Sequence, residues 1–222
     1  PSPRAGVDVV DVESAALGHT MPILVWVPDG IQPDARLPLL LLFHGQGGDA
    51  SAWFHGIGAD QLAAQLIAEG RIPPVILASA GIGNSMGIDS APADDGYDHG
   101  AYGTYLADEL VPWLIGRYPI SDDPADHFVA GFSMGGYAAL HLAFRHPERF
   151  GGVGGSSPAV ALDIQPERAW LYGDEAHRDA NDPQRLAEHA PLGDLRTFLG
   201  YGATDYDWII DGTRVLADRL EA

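Results

Sequence analysis

Gly131-Phe132-Ser133-Met134-Gly135-Gly136 is the stretch whose reading decides the fold of this chain. It follows a short apolar run, His127-Phe128-Val129-Ala130, and precedes a helical pattern, Tyr137-Ala138-Ala139-Leu140-His141-Leu142-Ala143-Phe144. Strand, tight turn and helix with a serine at the apex make this G-x-S-x-G a nucleophile elbow. The serine is expected in a strained backbone conformation. Gly131 and Gly135, two before and two after it, leave room where a Cβ would clash with the neighbouring strand and helix. The Ser133 hydroxyl is thereby lifted clear of the sheet, and the helix N-terminus beneath it favours developing negative charge.

Outward from the elbow, apolar segments alternate with helical patterns. Val7–Glu13 and Pro22–Val27 read as the strands of a leading hairpin, with Gly18-His19 for the connection and Pro28-Asp29-Gly30 closing the second strand. Leu39–Phe43 is a continuous apolar run of the kind buried on both faces of a sheet. Asp60–Glu69 reads as a helix ended by Gly70, and Val75–Ala78 as another buried strand entered through Pro73-Pro74. Residues 80–100 read as a long loop, and Tyr102–Tyr118 as a helix kinked at Pro112. Phe150–Gly155 is a glycine-thinned strand, residues 156–194 are an irregular, short, cap-like insertion with one helix around Gln184–His189, Leu195–Tyr201 is a strand and Asp207–Leu220 a helix. The expected fold is therefore α/β, a mostly parallel sheet with helices on both faces, in a single domain spanning residues 1–222. Right-handed crossovers place the functional loops at the carboxyl ends of the strands.

Composition narrows the partners. Of 222 residues, 31 are acidic and 12 basic, every basic one an arginine, for a formal charge of −19. That balance argues against nucleic acid or anionic lipid, both of which need a cationic footprint. No window holds the apolar length of a membrane span. The first residues, Pro1–Gly6, have no signal-peptide character, although a mature secreted protein would have lost its leader, so the compartment stays open. The absence of cysteine excludes disulfides and thiolate metal sites.

The remaining motifs fall where chemistry is expected. His44-Gly45-Gln46-Gly47-Gly48 leaves the Leu39–Phe43 strand as a glycine-rich turn. Acyl transfer needs two backbone N–H groups aimed at the tetrahedral oxyanion, and the candidates are those of Gln46 and Met134. His44 reads as a loop brace. A serine hydroxyl needs a base to take its proton and an acid to orient that base. Asp205, in Gly202-Ala203-Thr204-Asp205 after the last strand, is the expected acid, with Asp207 as its rival. None of the nine histidines follows Asp205. Trp53 and Trp208 lie on loops at the active end, as candidate substrate-pocket walls or as cover for the core.

With these motifs in place the chain resembles the α/β-hydrolase superfamily, in the group that includes esterase D (S-formylglutathione hydrolase), feruloyl and acetylxylan esterases, and the antigen 85 mycolyltransferases. The resemblance rests on Leu42-Phe43-His44-Gly45, Asp108-Glu109-Leu110, the elbow through Ala139, His146-Pro147-Glu148-Arg149-Phe150 and Gly202-Ala203-Thr204-Asp205. It implies Ser133 as nucleophile, Asp205 as triad acid, and the N–H groups of Gln46 and Met134 as the oxyanion hole. It implies no cofactor or metal. Family members continue through a last strand and helix that carry the catalytic histidine, and these are not found here. Three possibilities stand: the 222 residues are part of a longer protein, a second chain supplies the histidine, or the protein is inactive or uses an upstream residue such as His177 or His189. The expected activity is serine carboxylic-ester hydrolysis through an acyl-enzyme. The short insertion favours a small acyl ester or a carbohydrate-linked ester. An acyltransferase on the same machinery and a catalytically inactive binding module are the alternatives, and a homo-oligomer is compatible with either.

Overall fold

The computed structural model describes residues 6–32, 34–163, 166–171 and 174–221. Its core is a seven-stranded sheet in the order β1-β2-β4-β3-β7-β8-β9. The strands are β1 (Val7–Ser14), β2 (His19–Trp26), β3 (Leu39–Phe43), β4 (Ile76–Ala80), β7 (His127–Phe132), β8 (Gly152–Ser156) and β9 (Arg196–Gly200). β1 and β2 form the antiparallel end, and β4, β3, β7, β8 and β9 run parallel. A minor hairpin, β5 (Asp89–Ser90) with β6 (Gly100–Ala101), organises the long loop that the sequence leaves shapeless.

The helices are α1 (Ala59–Ala68), α2 (Tyr102–Thr104), α3 (Val111–Arg117), α4 (Met134–Arg145), α5 (Glu175–Asn181), α6 (Pro183–His189) and α7 (Asp207–Glu221). Alternate side chains of each strand face opposite ways, so the sheet has two cores. Ile23, Val25, Leu39, Leu41 and Ala78 belong to the larger one, with most of the buried face of α4. Leu24, Trp26 and Leu77 meet Ala63 of α1 and Phe54 on the other side. Helices therefore lie on both faces, as the alternating pattern predicts. Next to β7, β8 and β9 the second face is open, and Leu40, Phe128, Ala130, Gly154, Arg196 and Phe198 line a trough of about 350 Å³ there.

Two helical stretches differ from expectation. The run Tyr102–Arg117 is continuous but widens into a π-turn over Tyr105–Leu110, and Pro112 stands in the first turn of α3. Proline has no N–H for the carbonyl four residues back, and its ring crowds that carbonyl. A wider turn ahead of it removes both problems, which is why the helix opens out instead of breaking. Among the described residues of the 156–194 segment there are two α-helices, α5 and α6, where one is expected. Asp174 caps α5 by accepting the His177 N–H, and Asp182 caps α6 by accepting the Gln184 N–H, with Pro183 behind it. Both helices pack against α4, α5 at its far half, where the Arg145 guanidinium donates to Ala180 C=O and His141 meets Asn181. That is eight residues, or about 12 Å, along α4 from Ser133.

Candidate active site

The register of the parallel strands builds the site. Phe132, Ser156 and Gly200 lie side by side at the carboxyl ends of β7, β8 and β9, and Phe43 stands opposite Gly131. The residues that follow these ends therefore converge: Ser133, Ser157, Tyr201 and the loop from His44.

Ser133 has φ 53° and ψ −120°, in a region that a side chain occupies only under strain. The reason is visible in its neighbours. A Cβ on Gly131 would lie 2.2 Å from the Gly135 carbonyl oxygen, and one on Gly135 would lie 2.3 Å from Phe43 O and 2.5 Å from His44 O. The sharp turn exists only because strand, helix and adjacent strand touch through bare backbone. It is held from outside as well: the Ser133 N–H donates to Ser156 C=O at 2.9 Å, and the Ser133 C=O accepts from Ala159 N–H at 2.9 Å and Tyr137 N–H at 3.1 Å. The half-buried hydroxyl has no hydrogen-bond partner among the described residues.

The loop after β3 is a β-turn, closed by Gly48 N–H to Gly45 C=O at 3.0 Å with Gly47 at φ 75°. The Gly47 N–H is taken by Asn84 Oδ1 at 2.8 Å. Turn closure and Asn84 thus use the donors on one side of the loop. They leave the Gln46 N–H without a partner among the described residues, as is the N–H of Met134 at the first position of α4. The loop is pressed against the elbow, since a Cβ on Gly45 would stand 2.6 Å from the Phe132 ring.

His44 is buried, and both ring nitrogens are engaged: Nε2 accepts from Ile82 N–H at 3.1 Å and Nδ1–H donates to Gly45 C=O at 2.9 Å. Burial also holds its pKa below the ordinary histidine value. It ties β3 to the end of β4 as a neutral brace.

Asp205 sits in the turn after β9, its own N–H bonded to Gly202 C=O at 3.1 Å. Its carboxylate accepts from Tyr206 N–H at 2.9 Å, and the neighbouring Ser157 hydroxyl first of all lowers its pKa below the usual carboxylate range. The rival Asp207 is the first residue of α7 and points to solvent, in the place where a helix favours a negative charge.

Trp53 packs edge-on against Phe132, with ring centroids 5.8 Å apart, and donates its indole N–H to Phe43 C=O at 2.9 Å. Trp208 is half-buried, stacks with exposed Tyr206 at 6.4 Å, and lines a cavity of about 270 Å³ with Ala161, Leu162, Asp163 and Asp211. Trp53 thus adjoins the elbow and Trp208 adjoins Asp205. A larger cavity, about 730 Å³, lies elsewhere, between the β5–β6 loop and Trp170, Asp174 and His177.

Several of the other histidines are held within the fold. His127 bonds Ser121 C=O, His141 bonds Asn181, and His99 is held between Ser90 Oγ and Asp95 at 2.9 Å each. His177 belongs to α5 and His189 ends α6 beside Glu188. Among the described residues no hydrogen bond or ion pair joins any histidine to Ser133 or Asp205, and no cluster of three His, Asp or Glu side chains could hold a metal ion. No helix among them is long and apolar enough to cross a membrane. Sequence reading passes over Ser156 and Ala159, whose C=O and N–H hold the backbone of Ser133, because their placement depends on the β7–β8 register.

The profile of a family described as "Putative esterase" matches residues 14–216. An endo-1,4-beta-xylanase/feruloyl esterase of Xylanibacter ruminicola is 32% identical over 154 residues, 68% of this chain and 21% of that protein. The iron(III) enterobactin esterase of Dickeya dadantii is 29% identical over 155 residues, 69% of this chain and 33% of that protein. This chain spans less than half the length of the curated relatives it matches. Among solved structures, a ferulic acid esterase superposes with a TM-score of 0.79 at 21% identity, over 97% of this chain and 84% of that one. At that identity the likeness speaks for the fold, an α/β-hydrolase sheet with its helices.

Proposed function

The chain belongs to the putative-esterase family, and from that premise we propose that it is a serine carboxylic-ester hydrolase acting through an acyl-enzyme. The observation that carries the proposal is the conformation of Ser133, a non-glycine residue at φ 53° with an unengaged hydroxyl beside two unengaged N–H groups.

Ser133 Oγ attacks the ester carbonyl and forms a tetrahedral intermediate. Its oxyanion is received by the N–H groups of Gln46 and Met134, whose orientation is set beforehand by the turn and by α4. Donors fixed in this way are worth about 100- to 1000-fold each in kcat. Collapse expels the alcohol and leaves the Ser133 ester, which water then hydrolyses. Asp205 serves as the acid that orients the imidazole base and stabilises its cationic form. Its carboxylate is half-exposed.

Ser133 and Asp205 both lie near the surface. An open site of this kind suits a small acyl ester, or an ester carried on a carbohydrate, better than a buried long chain. The feruloyl esterase among the relatives points the same way.

Intact mass before and after treatment with a fluorophosphonate probe tests the reading. One adduct is expected, on Ser133, and Ser133→Ala should take none and lose turnover of an activated ester by about 10⁴- to 10⁶-fold. A wild-type rate in Ser133→Ala sinks the proposal. A full-length protein that neither labels nor turns over ester is instead a binding module. Product analysis with a sugar acceptor present separates hydrolysis from acyl transfer.

A further inference from the structure

The turn after β3 is held by a residue from the loop after β4. Asn84 Oδ1 accepts the Gly47 N–H at 2.8 Å, and the Asn84 N–H is itself taken by Asp98 Oδ2 at 2.7 Å. Asp98 sits so close that a Cβ on Gly83 would lie 2.5 Å from its carboxylate. The loop is fixed on both sides of Asn84. Before it, the Ile82 N–H donates to His44 Nε2 at 3.1 Å. After it, the Ser85 hydroxyl donates to Ile82 C=O at 2.6 Å and accepts the Gly87 N–H at 3.1 Å. A Cβ on Gly87 would lie 2.7 Å from the Ala138 Cβ of α4, and Met86, buried beside it, is held at φ 59°, a conformation that costs a non-glycine residue free energy. Asn84 thus presents its side-chain carbonyl from a backbone with little freedom to move.

The bond acts on the middle of the turn. Residues 45–48 form it, Gly47 is at φ 75°, and Gln46 is not among the residues at positive φ, which makes it a type II turn with glycine in third place. Type II differs from type I by a half-rotation of the central peptide, here Gln46 C=O with Gly47 N–H. Glycine at that position tolerates both forms. After such a flip Asn84 Oδ1 would face the Gln46 carbonyl oxygen, and two acceptors repel. The need to satisfy a donor does not explain the bond, since Gly47 is exposed and water would serve its N–H as well. What the Asn84 carbonyl adds is a choice between the two turns.

We propose that Asn84 is a positioning residue for ester turnover: by accepting the Gly47 N–H it locks the Gln46–Gly47 peptide in one orientation, and so holds the adjoining Gln46 N–H in line for the oxyanion. The inference rests on the oxyanion role given above to Gln46. A donor of that kind counts through being aimed before the reaction begins. A turn free to alternate between two forms keeps that N–H in line for part of the time only. Asn84 acts at one remove, because it bonds the turn and leaves the substrate to Gln46 and Met134.

The test uses the full-length protein with Asn84→Ala, Gly47→Ala and the two combined. Asn84→Ala removes the acceptor. Gly47→Ala, where nothing crowds a Cβ, penalises φ 75° and drives the same flip from the other side. In each, kcat on an activated ester should fall about 10-fold, short of the roughly 100- to 1000-fold that loss of an oxyanion donor costs, with KM within about twofold. Affinity for a boronic acid, whose tetrahedral Ser133 adduct sets an oxygen where the oxyanion forms, should fall by the same factor as kcat/KM, a match that loosened packing elsewhere would not produce. The double variant should be no slower than the slower single one, because both changes act through one peptide. Wild-type kcat and boronate affinity in Asn84→Ala, or losses that multiply in the double variant, overturn the role of Asn84 and leave the esterase reading standing. Should Asn84→Ala not fold, Gly47→Ala decides alone, and a wild-type kcat there overturns the proposal. Absence of fluorophosphonate label on Ser133 in the wild type overturns the esterase reading, and the role of Asn84 with it.

Discussion

At the scale of the residue, the elbow depends on what is missing from Gly131 and Gly135. A methyl group at either position meets backbone, not a side chain that could swing away. Gly135→Ala must therefore push α4 away from β3 or flatten the turn. The expected result is loss of at least 2 kcal/mol in urea unfolding, about what forced overpacking costs, and loss of fluorophosphonate labelling even where the protein still folds. Gly47 is a milder case: nothing crowds a Cβ there, and only its φ of 75° resists substitution. Much of this was legible in the sequence, because a serine flanked by glycines between a strand and a helix suits little besides a sharp, exposed turn. The turn that leaves the Gln46 N–H open was legible for the same reason, a run of glycines at a strand end. The brace after β8 was not legible, since nothing in Ser-Ser-Pro announces that Ser156 C=O and Ala159 N–H bond the backbone of Ser133; it requires knowing that β7 and β8 pair with Phe132 beside Ser156.

At the scale of the element, α5 and α6 show why polar helices escape a pattern search. What they bury is partly polar: Asn181 accepts from His141, and Gln184 donates its amide to Gly212 C=O and accepts from Arg219. Apolar periodicity is weak where amides and charges do the packing, and the caps become the legible signal. Asp182 is the strongest of them. It is fully buried, accepts the Gln184 N–H at 3.0 Å and pairs with Arg178 at 3.2 Å. Asp182→Ala should cost about 2 kcal/mol, the upper end for a lost cap, while Asp182→Asn, which keeps the cap, should cost clearly less; thermal unfolding of the two side by side decides. The β5–β6 loop has a comparable clasp in Ser90, His99 and Asp95, which is why a segment that reads as formless keeps one shape.

At the scale of the whole molecule, the main core carries a histidine. His141 is buried in α4, and burial above all, with Arg145 adding to it, pushes its pKa down to about 3. The native state thus refuses a proton that the unfolded chain accepts near the ordinary value of about 6.5. Between those two values the unfolded state binds more protons, so stability falls as the pH is lowered, by up to about 1.4 kcal/mol per unit. Urea midpoints taken from pH 7 to pH 4 should decline accordingly, and His141→Gln should decline less steeply over the same interval; parallel slopes would show that other groups carry the effect. The same helix has a consequence for how the protein comes apart. Every residue from Met134 to Phe144 is buried, whereas β9 is an edge strand with Phe198 69% exposed. In deuterated water the α4 amides should be the last to exchange, through opening of the entire domain, while β9 and the loop bearing Asp205 exchange through local fluctuations. Ser133 is thus anchored to the slowest-opening part of the protein and Asp205 to a looser edge, so partial unfolding would separate the two long before it disturbed the elbow.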